Sequence, residues 1–422
     1  MTDTDQLAGT YQLAGTYQLE SQPWMEEAET RRVMEALGEQ GQDVRFVGGC
    51  VRDALVGRDI KDIDIATPDL PEKVITLLED AGIKAIPTGI DHGTITAVCN
   101  HKVFEITTLR LDVETHGRHA TVAFTDDWVE DAARRDLTMN ALSCRLDGKV
   151  FDPFGGVKDL REKHIRFVGD AITRIEEDAL RLLRFFRFQA WYGGDDIDAV
   201  GLEAAREKSG LIKGLSAERI HSEIMRLLAA PNPEPVLRCM LENEIFAAFL
   251  PEVVTTDVFA SFLKVEGRCD PLVRLVALTM NETMAGPKNT VITIPERLRF
   301  STAEKQHFLS LVNSPYEINS NIDDANFRET TYRIGAGLVS DLLRLNMARS
   351  GIDFSDQAAL QLANKIENWR PVFFPLQGRD LIKAGLKPGP QMGRVLKSTE
   401  QWWIGQAFKP ALEDCIAYAL KL

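Results

Sequence analysis

The chain has no apolar run of the ~20 residues that a membrane-spanning helix needs, so no such helix is expected. Its first residues, Met1-Thr-Asp-Thr-Asp, lack the charged-then-apolar order of a signal peptide and the Arg-rich pattern of a transit sequence. There is no Cys-x-x-Cys pair. Cys50, Cys99, Cys144, Cys239, Cys269 and Cys415 are scattered singly, which indicates neither a zinc site nor a disulfide framework. A reduced cytoplasm fits that usage best. Nor is there a surplus of positive charge: 49 Lys and Arg stand against 63 Asp and Glu, a net charge of −14. That balance counts against a nucleic-acid partner, whose phosphates favour a basic surface. Net charge is a sum, however, and a local basic stripe can oppose it.

What is present is an ordinary globular composition, 44% hydrophobic and 27% charged over 422 residues, enough for several domains. Near the N-terminus Gln-Leu-Ala-Gly-Thr-Tyr occurs twice in tandem, too short for a solenoid repeat. It reads as a mobile leader or a slipped duplication. A helix is expected from Glu26 to Leu37. Val-, Ile- and Thr-rich strands are expected at Val44–Val47, Asp62–Ala66, Thr94–Val98 and Val103–Leu109. Helices are expected at Val51–Val56, Pro71–Ala81 and Ala133–Leu142. Beyond Ile175 strands nearly vanish, and helical periodicity runs over 175–191, 198–208, 216–229, 234–248, 270–281, 302–313, 329–349 and 355–369. The pattern is an α/β head followed by a long all-helical body.

Three clusters carry chemistry. In the first, a strand ends at Gly48-Gly49 and a helix begins, with Arg52 near its start. Glycine admits a phosphate close to the backbone, and Arg52 is placed to contact a triphosphate. Asp62 and Asp64 follow on a strand, two residues apart and therefore on one face. Carboxylates so placed repel unless a cation joins them, and oxygen ligands suit Mg²⁺. Glu105, in another strand, could complete the set. A lone Gly-Gly or Asp-x-Asp is usually a turn or a solvated strand end; their joint spacing in one strand–turn–helix–strand unit favours function.

The second cluster is Arg134-Arg135-Asp136-Leu-Thr-Met-Asn140. Leu137 faces a core, leaving Arg135, Asp136 and Asn140 for polar work, although an Arg-Arg-Asp run alone is more often a surface ion-pair set. The third is Asp178-x-x-Arg181-x-x-Arg184-x-x-Arg187. On one helix these recur every three residues and wind round the side away from the apolar stripe of Ala179, Leu182, Leu183, Phe186 and Ala190. The bland alternative is a salt-bridged solvent face with Asp178 on Arg181. Asp178 and Arg181 also offer an acceptor beside a fork of donors, the complement of a base edge carrying an amino group next to a ring acceptor.

These clusters, with Asp152-Pro-Phe-Gly155-Gly156-Val-Lys-Asp159 between them and Glu218-Arg219-Ile-His-Ser-Glu223 after them, resemble class II tRNA nucleotidyltransferases and bacterial poly(A) polymerases in order and spacing over roughly residues 30–230. Glu105-Ile-Thr-Thr-Leu-Arg110 … Gly117-Arg118 and Gly378-Arg-Asp380 … Gly393 look more like the CCA-adding branch. The resemblance implies an α+β fold. A polymerase-β-like nucleotidyltransferase head with a mixed sheet would be followed by an all-α neck, body and tail. The expected division is a leader at 1–25, head 26–147, neck 148–230, body 231–370 and a tRNA-binding tail 371–422.

It also implies roles. Asp62 and Asp64 would hold the metal, with Glu105 as the third catalytic acid. Gly49 and Arg52 would contact the triphosphate, Arg135 and Asn140 the nucleotide. Asp178 and Arg181 would read the base, supported by Arg184 and Arg187. The segment Arg110–His119 would be a flexible loop that helps switch from C to A addition. No His-Asp dipeptide signals the phosphohydrolase domain that some relatives carry. The family usually has Pro after Glu177-Asp178, where this chain has Ala179.

The expected activity is addition of C, C and A to the 3′ end of tRNA from CTP and ATP by Mg²⁺-dependent two-metal phosphoryl transfer, releasing pyrophosphate. Rival readings are a poly(A) polymerase or a catalytically inactive RNA-binding relative. Basic residues do cluster in the tail, where Arg370, Arg379, Lys383, Lys387, Arg394 and Lys397 face one acid, Asp380. A second group, Lys158, Arg161, Lys163, His164 and Arg166, lies in the neck. Either could be ordinary surface charge.

Overall fold

Alternation of apolar and polar residues sets the faces of the central strands, and a computed structural model describing residues 10–13, 16–116, 119–280 and 291–422 shows how they assemble. The described strands are β1 (Thr10–Leu13), β2 (Thr16–Leu19), β3 (Arg45–Val47), β4 (Ile63–Thr67), β5 (Lys84–Gly89), β6 (Thr94–Cys99), β7 (Lys102–Thr108), β8 (Arg110–His116), β9 (His119–Phe124), β10 (Ser143–Cys144) and β11 (Lys149–Phe151). Nine of them form one sheet in the order β1-β2-β11-β10-β3-β4-β7-β6-β5. Only β4 and β7 run parallel, so the sheet is mixed. In β6, Ile95, Ala97 and Cys99 are buried while Thr94, Thr96 and Val98 are partly exposed. Helices Ala28–Glu39 and Pro71–Asp80 pack on β6 and on each other, burying Val33, Met34, Leu37, Val74, Leu77 and Leu78. Each such aliphatic side chain contributes roughly 1.5–3 kcal/mol.

Several expected elements differ. The tandem hexapeptide is not a detached leader: β1 and β2 each contain one Thr-Tyr-Gln-Leu copy, pair with each other, and β2 pairs with β11. Leu19 is fully buried at that edge. The segment Arg110–His119, expected as a loop, instead opens a separate two-stranded sheet of β8 and β9; Gly117 and Arg118 lie outside the described residues.

No helix spans Ala133–Leu142. A helix runs over Trp128–Ala133, capped by Asp127, and the chain then extends through a bridge between Leu137 and Phe167 into a short turn at Thr138–Asn140. The cause is local competition for donors. The Asp136 carboxylate takes the N–H of Leu137 at 2.9 Å, and Thr138 N–H goes to the Arg166 carbonyl at 3.0 Å. The run 175–191 is likewise two helices, Ala171–Glu177 and Leu180–Tyr192, because Asp178 is extended (φ −153°, ψ 105°) and accepts the N–H of Leu180 at 3.1 Å. The run 329–349 breaks at Gly335, whose φ of +81° suits glycine.

The chain divides into two compact units, Met1–Pro251 and Glu252–Leu422. The described residues of the second unit form helices and no strand. They include Asp257–Val265, whose Val258, Phe259 and Phe262 are buried. Near its end, Leu376, Leu381, Val395, Trp403, Ile404 and Cys415 share one core, beside Trp402 and Tyr418 stacked at 4.3 Å. None of the described helices is long and apolar enough to cross a membrane.

Candidate active site

Strand β3 ends at Val47, Gly48 follows with a left-handed φ of +66°, and the helix Gly49–Leu55 starts immediately. A side chain at Gly48 would be strained and would stand 3.2 Å from Arg135 Nη1. This turn brings Gly49 and Arg52 beside β4. Asp64 on β4 is the register partner of Glu105 on β7, and Asp62 and Asp64 line the same cavity. Burial pushes the Asp64 carboxyl up, Glu105 and Asp62 push the same way, and Arg135 and Arg52 oppose them; the result is about 6. Negative charge is thus crowded at one spot, and the donors there are all hard oxygens. That set fits a divalent cation that keeps positions for substrate oxygens. Among the described residues no group of three or more Asp, Glu, His or Cys encloses a metal by itself.

A cavity of about 580 Å³ opens beside Asp64. Seven arginines and three aspartates line it, so the acidic chain presents a locally basic site. Gly49, Arg52, Arg135, Asn140, Asp178, Arg181 and Arg184 all reach it; Arg187 and Asp62 do not. Arg187 lines the neighbouring cavity and donates Nε to buried Glu223 at 2.5 Å.

The walls are tied together by charge. Arg52 is buried, donates to Asp53 at 3.0 Å and donates Nη1 to Asn140 Oδ1 at 2.7 Å. Asn140 Nδ2 donates to Asp136 Oδ1 at 2.9 Å, and Arg184 Nε donates to Asp136 Oδ2 at 2.6 Å. Burial alone would raise the Asp136 carboxyl, but the Arg184 charge and the bonds from Arg184, Asn140 and Leu137 outweigh it and hold it at about 2. The chain Arg52–Asn140–Asp136–Arg184 therefore fixes the head helix to the helix Leu180–Tyr192. Both ends of the Asn140 amide are committed to protein partners. Arg134 and Arg135 share the buried Asp131 at 2.8 and 3.0 Å.

The Asp178–Arg181 ion pair does not exist. Asp178 Oδ2 accepts from Arg219 Nη2 at 2.7 Å, while Arg181 pairs with Glu177 and donates to the carbonyls of Arg174 (3.3 Å) and Arg134 (2.9 Å). Both side chains are thereby tethered while lining the cavity, and Arg219 lines it beside them. Arg219 and Arg226 are residues that sequence reasoning missed as cavity walls, although Glu218-Arg219 stood among the quoted motifs. Arg219 lies 41 residues from Asp178, which hid that pairing. The Asp152-Pro-Phe-Gly-Gly motif proves structural. Asp152 accepts the N–H groups of Gly156 and Val157 at 2.7 and 2.9 Å, and a Cβ at Gly156 would fall 2.3 Å from the Thr138 carbonyl oxygen. Two of the neck cations have carboxylate partners, Lys158 with Glu162 and Arg166 with Asp159, and His164 Nε2 lies 3.0 Å from Asp198.

Residues 44–166 match the poly A polymerase head domain, and 196–255 match a probable RNA and SrmB-binding site of polymerase A. The human CCA tRNA nucleotidyltransferase 1, mitochondrial, is 32% identical over 417 residues, covering 93% of this chain and 89% of that protein. The chain belongs to the CCA-adding tRNA nucleotidyltransferase family. The CCA-adding enzyme of Streptococcus pyogenes is likewise 32% identical, over 87% of this chain and 90% of that protein. Among solved structures, the Bacillus stearothermophilus CCA-adding enzyme in complex with CTP aligns with a TM-score of 0.71 at 24% identity, over 95% of this chain and 98% of that one. The Thermotoga maritima CCA-adding enzyme complexed with tRNA aligns with a TM-score of 0.60 at 18% identity, over 93% of this chain and 94% of that one. The mixed-sheet head with a helical remainder is therefore the fold of CCA-adding enzymes.

Proposed function

We propose that this chain adds C, C and A to the 3′ end of tRNA, using CTP and ATP and releasing pyrophosphate. The observation that carries the reading is one basic cavity that has Asp64, the register partner of Glu105, and the tethered Asp178 and Arg181 in its walls. Gly49 and Arg52 border the triphosphate position, with Arg135 and Arg184 beside it. Asp178 accepts the amino group of C or A, and Arg181 donates to the adjacent ring nitrogen. UTP and GTP place a carbonyl oxygen against the Asp178 carboxylate, which repels it. Asp62 and Asp64, with Glu105 alongside, would hold Mg²⁺, which lowers the pKa of the RNA 3′-hydroxyl and offsets charge on the phosphates. The hydroxyl oxygen forms a bond to the α-phosphorus, the bond to the β-phosphate bridging oxygen breaks, and the proton leaves to solvent. Exposed Lys383, Lys387, Arg394 and Lys397 in the second unit make no ion pair among the described residues and supply contacts for tRNA phosphates.

The division read from sequence, leader 1–25, head 26–147, neck 148–230, body 231–370 and tail 371–422, is proposed with one change: β1, β2 and β11 belong to the head's sheet, so the head takes in residues 10–19 and 149–151. All six cysteines are free thiols, which supports a reducing compartment, the cytoplasm. The test is incorporation of each labelled nucleotide, offered separately and together, into tRNA lacking its CCA end. Three added residues from CTP and ATP are expected. A long A tract would instead make the chain a poly(A) polymerase, and no incorporation would make it an RNA-binding relative.

A further inference from the structure

A reaction that joins a nucleotide to an RNA end needs two substrate sites that meet at the reacting carboxylates. Two cavities meet there. The larger holds Asp178 and Arg181; the other, about 410 Å³, shares Gly49, Arg52, Asp64 and Arg226 with it and adds Asp62. Asp64 therefore stands between them. We propose that this second cavity receives the 3′-terminal nucleotide of the acceptor RNA, with Trp191 as the stacking platform and Arg58 and Lys61 as phosphate contacts. The inference rests on the function proposed above and assigns its acceptor site.

The charge of the two cavities separates their occupants. The larger has seven arginines against three aspartates. The second has five cations (Arg52, Arg58, Lys61, Arg187, Arg226) against four aspartates (Asp53, Asp59, Asp62, Asp64), an excess of one. A triphosphate is drawn to the first, and a terminal nucleotide carrying one phosphodiester charge suits the second. The cations without a carboxylate partner point the same way. Arg52, Arg184 and Arg187 each pair with a carboxylate, whereas Arg58 and Lys61 make no ion pair among the described residues.

The aromatic side chains complete the case. Trp191 and Tyr192 line this cavity and are partly exposed. Trp191 is fixed at both ends: Nε1 donates to the Arg226 carbonyl at 2.8 Å, and its own carbonyl accepts from Arg58 Nη2 at 2.5 Å. Tyr192 Oη donates to Asp53 at 2.6 Å, and the Arg58 guanidinium lies 4.1 Å above its ring. An oriented aromatic face beside cations that no carboxylate neutralises is how single-stranded RNA ends are held without sequence preference. Such tolerance suits an acceptor end that changes as C, C and A are added.

The experiment measures addition to tRNA lacking its CCA end with Trp191→Ala, Trp191→Phe and Arg58→Ala, beside CTP dissociation constants without RNA. Trp191→Ala should lower kcat/KM for the acceptor by roughly tenfold or more, through KM, and Trp191→Phe should restore most of it. Arg58→Ala should reduce the salt slope for the acceptor by about one. CTP affinity should stay that of the native chain in all three. An unchanged acceptor KM in Trp191→Ala would overturn the assignment. So would CTP affinity that falls in step, since the cavity would then serve the nucleotide or the variant would have lost its fold. If the native chain itself adds nothing, the proposed function fails, and that outcome is read before any variant is compared.

Discussion

Replacing Asp178 by Ala should collapse the preference for CTP over UTP. Asp178 Oδ2 is engaged by Arg219 and Oδ1 by the N–H of Leu180. An ionised carboxylate has about four acceptor positions, so about two remain for an incoming amino group. Arg181 has about five N–H groups, and Glu177 and the carbonyls of Arg174 and Arg134 occupy three of them. The residual donors and acceptors suffice for one bidentate match. Such a match discriminates by roughly 1–3 kcal/mol, or about 5- to 150-fold. The kcat/KM ratio of CTP to UTP on one acceptor should fall by that factor in Asp178→Ala. Arg219→Ala should lower it less, because the Leu180 N–H still orients the carboxylate. An unchanged ratio in Asp178→Ala would refute the assignment of Asp178 to the base.

Asp62→Ala should abolish incorporation while tRNA binding, read by gel shift, survives; retained turnover would remove Asp62 from the cation-binding set. The buried Asp136–Arg184 pair should make the first unit acid-sensitive. The Asp136 carboxyl titrates at about 2 when folded against an ordinary 3.8. Its contribution, roughly 2 kcal/mol, is therefore complete above pH ~4 and lost as pH falls toward ~2. In Asp136→Asn, denaturant midpoints between those limits should depend less on pH; an identical slope would contradict the pairing. Lys383→Glu with Lys387→Glu should weaken tRNA binding and reduce the salt slope by about two, and an unchanged slope would leave those lysines as ordinary surface charge.

The sequence was most readable where one residue type answers one local need. Gly48 had to be glycine because the turn requires φ of +66°. The strand expected from Asp62 instead begins at Ile63, so Asp62 precedes it and alternation does not set its direction, although Asp62 and Asp64 do line one cavity. The β5 strand escaped because Pro87 argues against a strand, and the sheet accommodates it by placing β5 at an edge. The Asp178 break escaped because 3.6-residue periodicity is blind to a single extended residue, here one whose side chain takes the N–H of Leu180, inside an otherwise helical run. Partners set by tertiary contact, such as Arg219 with Asp178 or Arg184 with Asp136, are 41 and 48 residues apart and leave no local trace.

The N-terminal hairpin has its own consequence. The copies at Thr10–Leu13 and Thr16–Leu19 are identical and offset by an even number of residues. Sliding one into the other's place beside β11 thus keeps the parity of the strand register. A copying slip that inserts such a segment moves the rim of the sheet outward by one ribbon and leaves the interior untouched. A chain lacking one copy should therefore keep a strand at the same border and add nucleotides at the unshortened chain's rate, since the machinery lies several strands away.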